Sequence, residues 1–302
     1  MESVRSMLNA QMILMIYILT GIYCQKKGLI TEKNRIGYID LILKVTLPCM
    51  IFNSFNKPLT PEILRQTAMA LFAASAVAAV SLLIGNIAYR NYPPARAGIL
   101  KYCTLVNNAG FLGMPLVQSV FGDDGLLFAS IYVLPTRILM WTAGISLFTE
   151  ADFKTRARNI LLNPCIVTVY LGLARRILNI PLPAFMDTAI AKIGGITSPL
   201  SMMVIGSMLV GVDWRKMVEK DILYFSAIRL VLLPCIAFLM GRLLHFDTLL
   251  TGVCMVMTGM PAGSTGALLA AKYGADEEFA SRVVVSSTVL SLVTAPVLMV
   301  LL

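Results

Sequence analysis

Charged residues are scarce in this sequence. Asp, Glu, Lys and Arg make up 14% of its 302 residues and hydrophobic residues 58%, whereas a soluble globular chain is about a quarter charged. The interior of a soluble domain cannot absorb that apolar excess, so the composition excludes an ordinary soluble protein. A helix that crosses the hydrocarbon layer of a bilayer, about 30 Å thick, needs roughly 20 apolar residues. The chain therefore has room for about ten spans.

Motifs of catalysis and metal binding are also lacking. The six cysteines form no Cys-x-x-Cys pair, and the one histidine, His245, has no partner motif such as His-Glu-x-x-His. No Walker A sequence indicates ATP hydrolysis. These absences argue against an intramembrane enzyme, and no cofactor or metal is expected. Basic residues are scattered between apolar runs, so the net charge of +9 does not indicate a nucleic-acid partner.

Long apolar runs, separated by clusters of charge, predict an all-α integral membrane protein with ten transmembrane helices. The runs are continuously apolar, which favours helices over a barrel, since barrel strands alternate between apolar and polar residues. The predicted spans cover residues 7–24, 36–55, 65–89, 98–121, 125–148, 160–178, 187–211, 221–244, 248–272 and 278–302.

The distribution of basic residues predicts the orientation of these spans. The odd-numbered connections carry fifteen Lys and Arg residues, and the other connections, with the N-terminal stub, carry six. Connections rich in Lys and Arg stay on the cytoplasmic side. We therefore expect a multi-pass protein of the inner or plasma membrane, with both termini outside and the connection 149–159 in the cytoplasm.

An internal similarity indicates two repeats. Residues 121–130 (FGDDGLLFAS) resemble residues 273–281 (YGADEEFAS), and each segment follows the fourth span of its half. Pro48 and Pro199 also fall in mid-helix of the second and seventh spans. Five spans per half would insert the halves with opposite orientation, as in many secondary carriers. This predicts a first repeat over 1–148, the connection 149–159 and an inverted second repeat over 160–302, unless the short match arose by chance.

The fourth and ninth spans carry residues that disfavour a regular helix near the middle of the membrane. Proline removes a backbone donor, and glycine permits dihedrals that other residues resist. Irregular backbone at this depth is tolerated only inside protein or beside a wet cavity. We expect two broken helices whose second halves, near Phe111 and Ala262, direct positive dipole ends toward an anion. The alternative is two simple kinks. The candidate substrate-binding residues are Asn107, Asn108, Gly110, Gly113, Pro115, Thr258, Gly259, Pro261, Ser264 and Thr265.

Several motifs together resemble one known family. They are NAGFLGMPL at 108–116, Phe-Gly-Asp at 121–123, Ser-Pro-Leu at 198–200, AAKYGAD at 270–276 and SLVTAP at 291–296. These residues resemble the auxin efflux carrier family over essentially the whole chain. The chain is more similar to the bacterial branch, with permeases proposed for malate and malonate, than to the plant exporters, because it lacks their long central hydrophilic loop.

The resemblance implies a fold related to the bile-acid sodium symporters. Spans one, two, six and seven would form a scaffold, and the other spans a transport domain with crossover helices 4 and 9. It also implies that the asparagine of the first crossover, Asn107 or Asn108, contacts substrate. In the second crossover this sequence has Thr258 and Gly259 where plant relatives offer another polar contact, so that half of the site departs from the family pattern.

Four of the charged residues within predicted spans need an explanation. Arg137 lies near the bilayer centre, where a charge costs at least about 2.5 kcal/mol. It would either bind a substrate carboxylate with two parallel hydrogen bonds or satisfy exposed carbonyls near Pro135. Asp40 and Lys44 stand four residues apart, which favours a local ion pair over a role in proton coupling. Arg229 is a third candidate for proton coupling. Alternatively, its guanidinium would pair with a carbonyl or a carboxylate.

These observations predict a secondary carrier that moves a small mono- or dicarboxylate by alternating access. The expected coupling ion is the proton, because no cluster of acidic residues lies at the predicted crossover. A sodium-coupled carrier, a uniporter and a transport-inactive sensor of the same fold are the alternatives. The expected partners are the organic anion and the lipid bilayer, and a homodimer is an open alternative for the assembly.

Overall fold

The computed structural model describes residues 2–56, 60–140, 147, 161–162, 164–178, 180–210, 219–263, 265–300 and 302. The predicted connection 149–159 and Ser264 lie outside these ranges. The regular structure within them is helical, and we number the helices in chain order. They are α1 (Glu2–Lys26), α2 (Glu32–Ser54), α3 (Pro61–Ala88), α4 (Pro94–Leu105), α5 (Ala109–Leu139), α6 (Pro164–Ile177), α7 (Ala184–Met208), α8 (Lys220–Leu243), α9 (Thr248–Thr258), α10 (Thr265–Lys272) and α11 (Glu277–Met299).

Six of the described helices are long and apolar enough to cross a membrane, namely α2, α3, α5, α7, α8 and α11. Two shorter apolar helices cover Met12–Lys26 and Thr248–Thr258. The predicted all-α membrane class is therefore confirmed. The count of ten spans and the arrangement in inverted repeats stay predictions.

Three of these helices contain a widened, π-helical turn just before a proline, and the one at the start of α5, Ala109–Gly113, precedes Pro115. In α2 the turn covers Ile42–Thr46 and precedes Pro48, and in α8 it covers Ile228–Leu232 and precedes Pro234. A proline ring clashes with the carbonyl four residues earlier, and a π turn is one way to relieve that clash. As a result, Arg229 lies in the widened turn of α8.

Two glycines with positive φ end helical segments at matching places in the similar motifs. Gly122 interrupts α5 with φ 66° and ψ −160°, and Gly274 has φ 70° between α10 and α11. An L-amino acid with a side chain rarely adopts this region, whereas glycine does so freely. After the second glycine, Asp276 accepts a hydrogen bond from the backbone N–H of Phe279 and caps α11.

The chain divides into two compact units that interleave along the sequence. The first unit holds Met1–Thr67, Gly110–Ile131 and Leu162–Val212, and the second holds Ala68–Ala109, Tyr132–Leu161 and Asp213–Leu302. The first unit thus contains the segments predicted as spans one, two, six and seven, together with 110–131. Each unit takes residues from both halves of the sequence, so the proposed repeats are not themselves the compact units.

The first unit contains a close packing of α1 against α7. A Cβ atom at Gly21 would overlap the backbone of Met203, and one at Gly206 would overlap the backbone of Ile18. Glycines of this kind let two helix backbones approach closely, which is how helices gain packing energy in a membrane.

The second unit has a charged cluster where α4, α8 and α11 begin. Arg96 donates to Glu219 at 2.7 Å and to Asp221 at 3.1 Å, and Arg282 donates to Glu219 at 2.9 Å. Both guanidinium groups lie over the ring of Phe279. Burial acts to lower the pKa of Arg96, but the bonds to the two carboxylates outweigh it and raise this pKa above its usual value. The cluster fixes the starts of three helices relative to one another.

Candidate functional site

Two non-helical segments of the second unit pair with each other. The first, residues 106–108, follows the end of α4 at Leu105, and the second, residues 259–263, follows the end of α9 at Thr258. Asn107 and Ala262 form an isolated antiparallel bridge. It is flanked by bonds from Asn108 N–H to the Pro261 carbonyl, at 2.8 Å, and from Gly263 N–H to the Val106 carbonyl, at 3.1 Å. Backbone groups that leave a helix inside a protein must find other partners, and here each segment supplies them to the other.

The residue types in the second segment suit this pairing. Pro261 has no N–H to leave unpaired, and only its carbonyl is needed. A Cβ atom at Gly263 would lie 3.3 Å from the carbonyl oxygen of Asn107 and 3.4 Å from that of Val106. The absence of a side chain at Gly263 thus lets the two backbones meet. Ala262 N–H donates instead to the hydroxyl of Ser287 on α11, at 3.2 Å.

Arg229 binds the carbonyls at the ends of both helices. Its Nε donates to Met260 at 3.0 Å, its Nη1 to Thr104 at 2.8 Å and its Nη2 to Thr258 at 2.7 Å. The residue is only 2% exposed. Thr104 lies in the last turn of α4, and Thr258 ends α9, so one guanidinium caps two helix C-termini. A cation is favourable there because the C-terminal end of a helix is negative.

A small enclosed cavity lies beside the paired segments. Its volume is about 10 Å³, enough for about one water molecule. Its polar lining comes from α3, α5, α8, α9 and the first non-helical segment, and consists of Ser81, Asn107, Tyr132, Thr136, Arg229 and Thr258. The hydroxyls of Tyr132 and Thr258 are 2.6 Å apart, and that of Thr258 donates to the Cys254 carbonyl. Since a hydroxyl has one proton, Tyr132 is the donor to Thr258.

Most of the residues predicted in the fourth and ninth spans surround this cavity or the paired segments. Asn107 and Thr258 line the cavity, and the Asn107 amide also donates to the Met257 carbonyl. Asn108 and Pro261 take part through their backbones. Gly259 caps α9, with its N–H bonded to the Met255 carbonyl at 2.9 Å. Thr265 begins α10 and accepts a hydrogen bond from the Tyr102 hydroxyl at 3.0 Å.

Three other predicted residues belong to the first unit. Gly110 and Gly113 lie in a π-helical turn at the start of α5, Ala109–Gly113. Pro115 follows that turn, and its carbonyl accepts from the Ser119 hydroxyl at 2.9 Å and from the Ser198 hydroxyl at 3.4 Å.

The charged candidates differ in their surroundings. Arg137 is half-buried on α5, and its Nη1 lies 3.8 Å from the sulfur of Met140. Asp40 and Lys44 form an ion pair at 2.6 Å, with side chains 51% and 62% exposed. Arg229 is thus far more buried than either, and it alone lines the cavity.

Sequence reasoning did not single out Ser81, Tyr132, Thr136 or Ser287. Ser81 and Ser287 lie on helices outside the two glycine and proline motifs, and Tyr132 and Thr136 lie on α5 well after its motif. A hydroxyl residue commonly bonds its own helix, as Ser81 does with the Val77 carbonyl at 2.8 Å. Only tertiary packing reveals that these residues meet at one place.

Metal binding finds no support in the described ranges. They contain no group of three or more His, Cys, Asp or Glu side chains placed to hold a metal ion. The polar groups around the cavity are amide, hydroxyl and guanidinium groups, which suit an anion rather than a metal ion.

Polar and charged groups buried among the helices of a membrane protein are typical of transporters. The chain matches the model of the membrane transport protein family over residues 7–299, and it belongs to that family, which is the auxin efflux carrier family. The family consists of transporters and not of enzymes. The predicted family is therefore confirmed, and the narrower bacterial branch stays a prediction.

Three curated relatives that are named as transporters align with most of this chain. An "Uncharacterized transporter" of Methanothermobacter thermautotrophicus is 24% identical over 289 residues, which cover 93% of this chain and 94% of the relative. YfdV of Escherichia coli K12, also named an uncharacterized transporter, is 19% identical over 297 residues, covering 94% and 93%. A Rhizobium meliloti protein named "Putative malonate transporter" is 20% identical over 271 residues, covering 85% and 84%.

Proposed function

We propose that this protein is a secondary carrier that moves a small mono- or dicarboxylate by alternating access, with the cavity beside residues 106–108 and 259–263 as its substrate site. The observation that carries the proposal is the meeting of two helix ends and a buried arginine at a polar cavity. Irregular backbone at membrane depth is tolerated beside such cavities, which are the substrate sites of carriers with discontinuous helices.

The donors around the cavity favour a carboxylate. Arginine has five N–H groups, and carbonyls of the described residues accept from three of those of Arg229. Two N–H groups are left for a bound anion. Asn107 has a second amide N–H, and Thr136 adds a hydroxyl to the lining. A substrate with one or two carboxylates matches this set, and the relative named for malonate supports malonate as the first candidate.

The cavity volume implies a closed state. Space for about one water cannot accept an organic acid of several heavy atoms. Substrate binding therefore requires a second state in which the helices around the cavity separate, as alternating access demands.

The finer architecture is also a proposal. In it, α4 with the start of α5, and α9 with α10, are the halves of crossover helices 4 and 9 in two inverted five-helix repeats. The matching positive-φ glycines, Gly122 and Gly274, support that symmetry. Asn108, Gly110, Gly113, Pro115, Arg137, Gly259, Pro261, Ser264 and Thr265 remain proposed members of the substrate site. Both termini outside the cell membrane and coupling to protons belong to the same proposal.

Uptake of labelled malonate into proteoliposomes tests the function. Wild-type protein should accumulate malonate against its gradient when the inside is alkaline. Asn107→Ala should lower the initial rate by at least about tenfold, because a hydrogen bond to a charged group contributes about 1.5–3 kcal/mol. Ser75→Ala is the matched control, since Ser75 lies on α3 with an exposed hydroxyl bonded only to its own helix.

Three results would contradict parts of the proposal. Malonate binding without uptake would favour a sensor, and rates indifferent to the pH gradient would reject proton coupling. Arg137→Ala tests the proposed site beyond the cavity. If that variant transports at the wild-type rate and Asn107→Ala does not, the site is confined to the cavity of the second unit.

A further inference from the structure

The three carbonyls bound by Arg229 surround its guanidinium group. The nitrogens of the guanidinium lie 2.7–3.0 Å from the oxygens of Thr104, Thr258 and Met260. These oxygens come from two helices and one non-helical segment of the same unit. The backbone therefore sets where these oxygens lie, and the Arg229 side chain reaches them from α8.

The helix ends leave these carbonyls without their usual donors. In a continuous helix the Thr104 carbonyl would accept from Asn108 N–H, but that N–H donates to Pro261. The Thr258 carbonyl would accept from Ala262 N–H, which donates to Ser287. Buried carbonyls in this state need a hydrogen-bond donor from outside their own helix.

The charges also balance. Each helix C-terminus carries roughly half a negative elementary charge, so the ends of α4 and α9 together carry about one, and the guanidinium carries one positive charge. None of the described residues that line the cavity is acidic. In carriers with discontinuous helices, unwound carbonyls and helix C-termini of this kind coordinate sodium.

We propose that the Arg229 guanidinium is a built-in cation, held where the ends of α4 and α9 would otherwise bind a free monovalent cation. Substrate movement therefore does not require sodium, because the position of the coupling cation is permanently filled. This consequence for transport rests on the proposed carrier function, whereas the cation position itself does not.

Chemical rescue tests the inference on the full-length protein in detergent. With choline as the only monovalent cation, Arg229→Ala should unfold several degrees below wild type. Millimolar guanidinium or sodium, far below denaturing concentrations, should raise its unfolding temperature in a saturable manner, because a ligand bound only by the native state stabilises it. Arg242→Ala, an exposed arginine on the same helix, is the control and should not respond.

The inference fails if Arg229→Ala unfolds at the wild-type temperature, or if none of the added cations raises the unfolding temperature of that variant. Should that variant not be obtained in folded form, wild-type protein still gives a test. Sodium should not raise its unfolding temperature, and a saturable rise would overturn the inference. Failure of wild-type protein to take up malonate or any other small mono- or dicarboxylate would reject the proposed function and leave the cation result standing.

Discussion

The two units of this protein differ in where the backbone leaves the helix and in what satisfies its carbonyls. In the first, α1 and α7 approach through Gly21 and Gly206, and the ion pair of Asp40 and Lys44 forms within one helix. In the second, the backbone leaves the helix at two places, and a fully buried arginine satisfies the freed carbonyls. Side chains also join helices in the first unit, where Arg35 of α2 donates to the Ser207 hydroxyl of α7 at 3.0 Å. The second unit differs in that its bridging arginine is buried and binds backbone carbonyls at two helix ends.

This difference separates what each unit can do. Close backbone packing is energetically favourable in one geometry and leaves little room for a ligand. Polar groups gathered at helix ends have alternative partners, including a substrate or water, so they can bind and release. We therefore expect substitutions in the first unit to affect stability first, and those at the cavity to affect transport first.

The largest effect in this comparison is expected for Gly206→Ala. Its Cβ would overlap the backbone of Ile18, and neither helix backbone can yield without separating α1 from α7. The free energy of unfolding should fall by about 3 kcal/mol, the upper end for overpacking, as measured by thermal unfolding in detergent.

Gly37→Ala is the matched control for that substitution. Gly37 lies on α2 of the same unit, and nothing stands within 4 Å of a Cβ built there. Alanine should stabilise the helix at this position by up to about 1 kcal/mol. Equal unfolding temperatures for the two variants would show that the contact of α1 with α7 does not hold the first unit together.

Local sequence was sufficient for the class of protein and for the place of two residues of the proposed site. Continuous apolar runs indicate membrane helices because lipid leaves few other folds. The ends of α4 at Leu105 and of α9 at Thr258 fall inside the two motifs rich in glycine and proline. Asn107 and Thr258 could therefore be singled out by their place within those motifs.

The roles of Arg137 and Arg229 could not be predicted from the local sequence. Arg137 and Arg229 both lie in the interior of apolar runs, and both need partners there. The partners of Arg229 are backbone carbonyls of Thr104, Thr258 and Met260, which any residue type provides. Every residue has a backbone carbonyl, so the sequence cannot show which carbonyls an arginine contacts. Only the fold shows that Arg229 is buried and Arg137 half-buried.

An intermediate effect is expected for Tyr132→Phe at the cavity. The change removes the hydroxyl that donates to Thr258 at 2.6 Å and keeps the ring. The loss of one buried hydrogen bond should lower the free energy of unfolding by about 1 kcal/mol, and the altered lining should lower malonate uptake more strongly than stability. Tyr170→Phe, an exposed tyrosine on α6 of the first unit, should change neither. A loss of stability with unchanged uptake would place Tyr132 in the structural framework only.

The smallest effect is expected for the pair of Asp40 and Lys44, where the two interpretations lead to different results. An exposed pair four residues apart on a helix contributes about 0.3–0.5 kcal/mol, and a double-mutant cycle of Asp40→Asn and Lys44→Met by thermal unfolding should return a coupling energy of that size. We expect malonate uptake by the double variant to keep its dependence on the pH gradient, because both side chains are more than half exposed and already paired at 2.6 Å. If the double variant instead takes up malonate at the same rate with and without the gradient, the pair carries the coupling proton, and the first unit does more than provide stability.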